Sequence, residues 1–326
     1  MKNKMLKWSL RVLLCIVAFI IFVFAAFSIG ERLLFIKFYL NSEKYESIPG
    51  VWNGYVSQGY TAVQGEDYRL ACGYMSNDKA SRIYILDDDG KTYVELKNED
   101  GSDYTGHTGG IDVYGKYVYI TASTGCDLFL LDDVLDGDGV ATKADEVPTI
   151  NDPAYCEIKD NMLYVGSFYH EGDYETPEDH RMTTPAGDNN TAIISVYSLN
   201  DDIDKPESTT PDYIYSTTSF VQGMTFTDDG RIILSTSYGL SKSHLYVYEL
   251  DEATIDAKGF NVNGTIVPLI YLDSDCLLRD VIAPPMAEEI IYKDGIVYIM
   301  NESASMKYHF GKLTSGWHVY GYKLDN

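Results

Sequence analysis

Three acidic residues, Asp112, Glu157 and Glu288, stand at matching places in three look-alike segments: GGIDVYGKYVYI, AYCEIKDNMLYV and AEEIIYKDGIVYI. Two carboxyl groups held roughly 5–10 Å apart can work as acid and base, or as acid and nucleophile, on a glycosidic bond. A related segment near residue 60 offers Gln58 and Thr61 where a further acid would stand. Two long polar stretches add other chemistry. SFYHEGDYETPEDHRMTTPAGDNNT (167–191) carries Tyr169, His170 and His180 among six carboxylates, and NESASMKYHFGKLTSGW (301–317) carries Asn301, Glu302, Lys307, His309 and Lys312. Long connections of this kind are often lids or binding loops.

Several specific chemistries find no support. The spacing of His170, His180 and the interspersed acids matches no zinc signature. DDVLDGDGVATKAD (132–145) is reminiscent of a calcium loop, with Asp136, Asp138, Gly139 and Asp145 in EF-hand-like places. Val134 would occupy the first ligand position and cannot ligate, so a surface turn is expected. No G-x-S-x-G elbow, P-loop or Rossmann glycine pattern occurs, and no residue is nominated as catalytic. A divalent cation is the one cofactor raised, without a ligand set to hold it. Cys72, Cys126, Cys156 and Cys276 show no CxxC and no metal-type spacing, so disulfides and buried free thiols both stay open.

The elements that must position these residues are short strands. Five units recur, beginning near 58, 109, 154, 221 and 287, each with apolar alternation, Val/Ile/Tyr enrichment and turns such as DDG, KDG or YGK. Four antiparallel strands per unit, repeated radially, is the construction of a β-propeller. The fold expected is therefore all-β, a propeller of five blades with six as the alternative, preceded by one transmembrane helix. TIVPLIYL (265–272) would be the fourth strand of unit four, and GVWNGYVSQ (50–58) would complete unit five. In such a fold the starts of first strands and the ends of second strands share one channel rim. That rim would hold Gln58, His107, Asp112, Glu157, Tyr169, His170, Gln222, Tyr238, Glu288 (or Glu289 in its place), Asn301, Glu302 and Lys307.

The N-terminus differs in kind. Lys2, Lys4, Lys7 and Arg11 precede VLLCIVAFIIFVFAAFSIG (12–30), 19 residues without a charge. That is just long enough to span a bilayer, and the basic flank should stay in the cytoplasm. A cleaved signal peptide has a shorter core and a cleaner small-x-small site than Ala26-Phe27-Ser28. The expected order is a cytoplasmic 1–11, a signal anchor 12–34, a linker 35–49 and an extracytoplasmic domain 50–326 on the cell membrane. The chain has 25 Lys+Arg and 49 Asp+Glu; taking away the six basic residues and one acid of 1–37 leaves 19 against 48, a formal charge of −29. Such a domain repels phosphate backbones, which excludes nucleic acid as a partner. The membrane, a small molecule, a glycan or a protein partner remain.

The stretch QGMTFTDDGRIILSTSYG…SHLYVYEL, with APPMAEE (283–289) and NESAS (301–305), resembles the repeats of NHL- and SMP-30-type propellers. Over 55–326 the chain is similar to uncharacterised membrane-anchored propeller proteins of Gram-positive bacteria. The resemblance to SMP-30-like lactonases implies a divalent cation held by a Glu, two Asn and an Asp. Glu288 and Asn301 echo part of that set, and the remaining ligands have no counterpart here. The function expected is ligand or partner binding on the channel rim, with a glycoside hydrolase or metal-assisted hydrolase as the alternative. Convergence of Asp112, Glu157 and Glu288 would favour the enzyme; their separation would favour binding.

Overall fold

The computed structural model describes residues 2–136, 138–250 and 255–324. Helix α1 (Lys2–Leu34) carries a stretch, Lys4–Leu34, that is long and apolar enough to cross a membrane. Next comes α2 (Ile36–Leu40), which drops Phe35 and Phe38 into the domain core.

Beyond the helices the chain is mostly β. Five four-stranded antiparallel units follow one another. Unit one is Tyr55–Ala62, Arg69–Met75, Arg82–Asp87 and Gly90–Lys97. Unit two is Ile111–Tyr114, Tyr117–Ala122, Gly125–Leu130 and Val140–Pro148. Unit three is Tyr155–Lys159, Met162–Gly166, Ala192–Asn200 and Tyr213–Thr217. Unit four is Val221–Phe226, Ile232–Thr236, Ser243–Tyr248 and Leu277–Ala283. Unit five is Ala287–Lys293, Ile296–Asn301, His318–Lys323 and Ser42–Ser47.

The five first strands contact one another in cyclic order, one to two, two to three, three to four, four to five and five to one. Burial follows the same ring. Separate apolar clusters fill each junction: Leu70, Ile83 and Val118 between units one and two; Leu128, Leu163 and Tyr197 between two and three; Ile194, Met224 and Leu234 between three and four. Ile233, Leu245, Ile290 and Tyr320 join four to five, with Phe35 and Phe38, while Tyr55, Tyr60, Ile291 and Met300 join five to one. Each strand face is thus buried against a neighbour, which is why the strands read as near-continuous apolar runs rather than half-exposed alternation. Units one and two are further joined by a parallel pairing of their outer strands, making one eight-stranded sheet whose two end strands also touch.

Three expectations change. The strand that completes unit five is Ser42–Ser47, paired with His318–Lys323, and 55–58 opens unit one instead. Residues 35–49 are accordingly part of the folded domain and not a linker. SEKYES has no apolar alternation because it is an exposed edge, held by backbone pairing. TIVPLIYL does not close unit four. Thr265–Tyr271 forms a hairpin with Ile255–Val262 and pairs in parallel with Tyr213–Thr217 of unit three, while Leu277–Ala283 supplies unit four. The segment likened to a calcium loop is a short helix, α3 (Leu131–Leu135), leading to the strand Val140–Pro148; Gly137 lies outside the described residues. Asp145 is in that strand, bound to Lys205. A last short helix, α4 (Gly311–Thr314), sits in the loop before the third strand of unit five.

Candidate functional site

Strand pairing in three of the units is interrupted at the same place. Register shifts fall between Ser57 and Gly59, between Val221 and Gly223, and between Ala287 and Ile290. An extra residue in one strand re-aims its side chain, and such bulges recur beside functional sites. The residues in these bulges are Gln58, Gln222 and the pair Glu288–Glu289, so the sequence pattern Q-G, Q-G, E-E marks one level around the ring of first strands.

Above that level lies a polar mouth. Gln58 donates through Nε2 to Glu302 Oε2 at 3.0 Å, and the Glu302 and Glu288 carboxyl groups face each other. Burial is the main cause that lifts Glu302 to about 7; Lys307 and the Gln58 hydrogen bond pull it back down. Glu288 is pushed well above the usual carboxylate range by burial first, then by Glu302 and Glu289. One of its oxygens, Oε1, has no hydrogen-bond partner. Lys307 Nζ donates to Tyr74 Oη at 2.6 Å, and the Tyr74 ring lies 4.6 Å from the His107 ring, centroid to centroid. Desolvation, then Lys307, lowers His107 to about 4, which keeps the imidazole neutral. Asn301 is buried, and its carbonyl accepts from Ser57 Oγ at 2.8 Å. Gln222 is half-buried at the same level.

A second group lies on the loop 167–191 and its neighbours. The His170 ring stacks on Tyr238 at 4.0 Å, Phe220 lies 5.7 Å from both, and Phe168 touches Phe220, Tyr238 and Tyr174. Tyr169 lies under the Arg181 guanidinium at 4.9 Å. Tyr174 packs edge-on against Phe168 and pairs through its backbone with His170. The loop is ordered by a short ladder between Met182–Thr183 and Asn189–Asn190, and Asn190 Nδ2 donates to Ser216 Oγ and to the Leu272 carbonyl. His170 and His180 do not share a site, since His180 is buried against Phe260. Among the described residues no group of three or more His, Cys, Asp or Glu could hold a metal ion.

Deeper in the channel the expected trio is rearranged. Asp112 accepts from Thr61 Oγ1 at 2.8 Å and from the backbone amides of Val113 and Ile158, so it laces units one, two and three together. Burial raises it to about 6. Glu157 accepts from Thr225 Oγ1 at 3.1 Å, and the Tyr292 amide donates to that same hydroxyl, lacing three, four and five. Glu288 does not join them. Its neighbour Glu289 does: burial raises its carboxyl well up, and Glu157 and Asp112 raise it further. The backbone amides of Met224 and Ile111 approach the carboxyl and lower its pKa a little, but neither oxygen has a hydrogen bond of good geometry. The two oxygens lie 2.9 Å from where a Cβ would stand at Gly110 and Gly223, in units two and four. Glu289 therefore reaches across the ring from unit five and floors the mouth.

Of the residues expected on the rim, Gln58, His107, Glu288, Glu302 and Lys307 meet at the mouth. Tyr169, His170 and Tyr238 belong to the adjoining aromatic group, and Asp112 and Glu157 stand below. Glu289, the alternative to Glu288 in that strand, takes the floor, whereas Tyr308, Tyr174 and Phe220 were not anticipated. Alternation along a regular strand lets only one of Glu288 and Glu289 point inward, and a bulge cancels that rule. None of the four cysteines beyond α1 forms a disulfide, and all four are buried. Two clefts of about 550 and 500 Å³ lie outside the channel, one between residues 47–53 and Trp317, the other between Glu66–Tyr68 and Val134–Leu135. Neither contains these carboxylates.

No family profile and no curated protein sequence matches this chain. Solved structures do. A PQQ-bound aldose sugar dehydrogenase from Streptomyces coelicolor is 16% identical over 80% of this chain and 78% of its own, with a TM-score of 0.45. A putative oxidoreductase (glucose dehydrogenase) from Thermus thermophilus is 13% identical over 86% and 99%, also at 0.45. An exo-β-1,3-galactanase from Phanerochaete chrysosporium is 10% identical over 86% and 64%, at 0.47. At these identities and scores none of their residues or ligands is carried over.

Proposed function

We propose that the five units are the blades of a β-propeller, tethered by α1 with the domain outside the cytoplasm, and that its channel mouth binds a small polar ligand. The orientation rests on the basic residues before the helix and the acidity of the domain after it. The binding reading is carried by one observation: three equivalent bulges set Gln58, Gln222 and Glu288 at one level of the ring, where a buried oxygen of Glu288, beside the Glu302 carboxyl, is given no donor. A buried acceptor left unpaired costs about 1–3 kcal/mol, and a ligand hydroxyl or amine would recover it.

The hydrolase reading fares less well. Asp112 and Glu157 are engaged in hydrogen bonds between units, and Glu288 and Glu302 are hydrogen-bonded to each other rather than held about 5 Å or more apart. The test is a thermal-shift screen of glycans, metabolites and metal ions on the full chain in detergent. Binding at the mouth predicts a hit whose shift is lost in Gln222→Ala and Glu302→Gln. A hit untouched by both changes would move the site elsewhere.

A further inference from the structure

The anchoring helix leaves the domain beside the mouth. Residues 4–27 of α1 are exposed along their whole length, and contact with the domain is made by its last turns. Arg32 Nη2 donates to Ser315 Oγ at 3.3 Å, and α1 packs against α4. Both Ser315 and α4 belong to the loop 302–317, the same loop that brings Glu302, Lys307 and Tyr308 to the mouth. A hydrocarbon-spanning helix that departs from this loop places the bilayer on this side of the molecule.

The loops of that side are built for an interface. They are the segments that precede first strands or link second to third strands, and they expose Trp52 (67%), Tyr174 (61%), Leu240 (74%), Met306 and Leu313. These five come from four different units, so they surround the mouth rather than forming one patch. Exposed Trp and Tyr with neighbouring Lys are the residues that settle at headgroup depth. Lys312 stands 4.7 Å over the Trp52 ring, and Lys242 and Lys307 are exposed on the same side. These lysines only partly offset the carboxylates of loop 167–191 on the same side, so the contact is made through the aromatic and apolar side chains rather than by net charge.

We infer that the mouth face rests against the surface of the bilayer in which the chain is anchored. Anything entering the mouth then arrives from the headgroup layer. That consequence for the ligand rests on the binding reading above; the orientation itself does not.

The test uses the full chain in phosphatidylcholine–phosphatidylglycerol vesicles, with Cys15→Ser to remove the exposed thiol, the other four being buried. Leu240→Cys puts a nitroxide label on the mouth face, and Gln64→Cys puts one on the opposite end, in the loop joining the first two strands of unit one. Power saturation with oxygen and a water-soluble nickel complex reads depth. The expected result is a label at 240 shielded from nickel and relaxed by oxygen, with the label at 64 fully aqueous. Aqueous behaviour at both sites, as a protein-docking face would give, overturns the inference, and so does shielding at 64. The readout needs no ligand, so failure of the binding reading leaves it intact.

Discussion

Gln58 donates to Glu302 at 3.0 Å across the seam where the first unit meets the last. The bond stabilises the ionised form of a carboxyl that burial lifts to about 7. Replacing Gln58 by Leu removes that donor, so the Glu302 pKa should rise further. Carboxyl-carbon NMR titration of the two proteins measures the shift directly; an unchanged or lowered value would contradict the mouth geometry.

Glu289 makes a prediction about stability and pH. A carboxyl whose folded pKa is raised favours the native state fully below its unfolded pKa, about 4.3, and that contribution is lost as pH rises toward the folded value. Asp112, lifted to about 6, and Glu302 behave the same way, whereas His107, lowered to about 4, loses its contribution as pH falls from about 6.5. Glu289→Gln removes one titration of known sign. The variant should match the parent near pH 4 and become the more stable of the two at pH 7.5, as read by urea midpoints. Equal midpoints across that range would show that Glu289 is not desolvated as described.

The two glycines beside Glu289 should not tolerate a methyl group. At Gly110 a Cβ would lie 2.6 Å from the Cys156 amide nitrogen and 2.7 Å from Tyr155 Cα, and at Gly223 2.7 Å from Glu289 Cα. These are backbone contacts between neighbouring first strands, with little freedom to move. Gly110→Ala and Gly223→Ala should each cost about 1–3 kcal/mol, the usual range for overpacking. Gly230→Ala controls for the loss of a glycine as such, because the space around it is open. Its φ of +85° adds backbone strain without a clash. Comparable losses at all three positions would mean that packing around the channel is not the cause.

How far the sequence carried can be seen from particular strands. The first three strands of all five units were legible, because Val/Ile/Tyr runs and Gly-containing turns report burial and hairpin geometry locally. Outer strands were legible in units one to three, as KTYVEL, VATKADEVPTI and PDYIYSTTS, but not in units four and five. SEKYES is polar on both faces, and TIVPLIYL has the composition of any inner strand, so neither reveals which unit it joins; that choice depends on contacts with residues far away in the chain. The site follows the same division. Gln58, Glu288 and Glu302 could be placed on one rim from strand order, but the exchange of Glu288 for Glu289 in the channel floor depends on a bulge. A bulge adds one residue without altering composition, and so leaves no periodic signal.

The N-terminal boundary offers the last prediction. Phe38 is 2% exposed, stacks on Tyr322 at 5.6 Å and fills the junction of units four and five. Phe38→Ala should therefore cost about 3–5 kcal/mol, a core-sized loss for a residue only a few positions beyond α1. Chain shortening separates this packing from ring closure. A protein beginning at residue 35 keeps Phe38 and the strand Ser42–Ser47, and should unfold cooperatively. One beginning at residue 41 keeps the strand and should lose stability comparable to Phe38→Ala. One beginning at residue 50 leaves His318–Lys323 with an unpaired edge and unit five with three strands, and should aggregate or expose its core to dye. Calorimetry and dye binding on the three would rank them 35, 41, 50. A protein from residue 50 as stable as that from 35 would mean that Ser42–Ser47 does not close the ring.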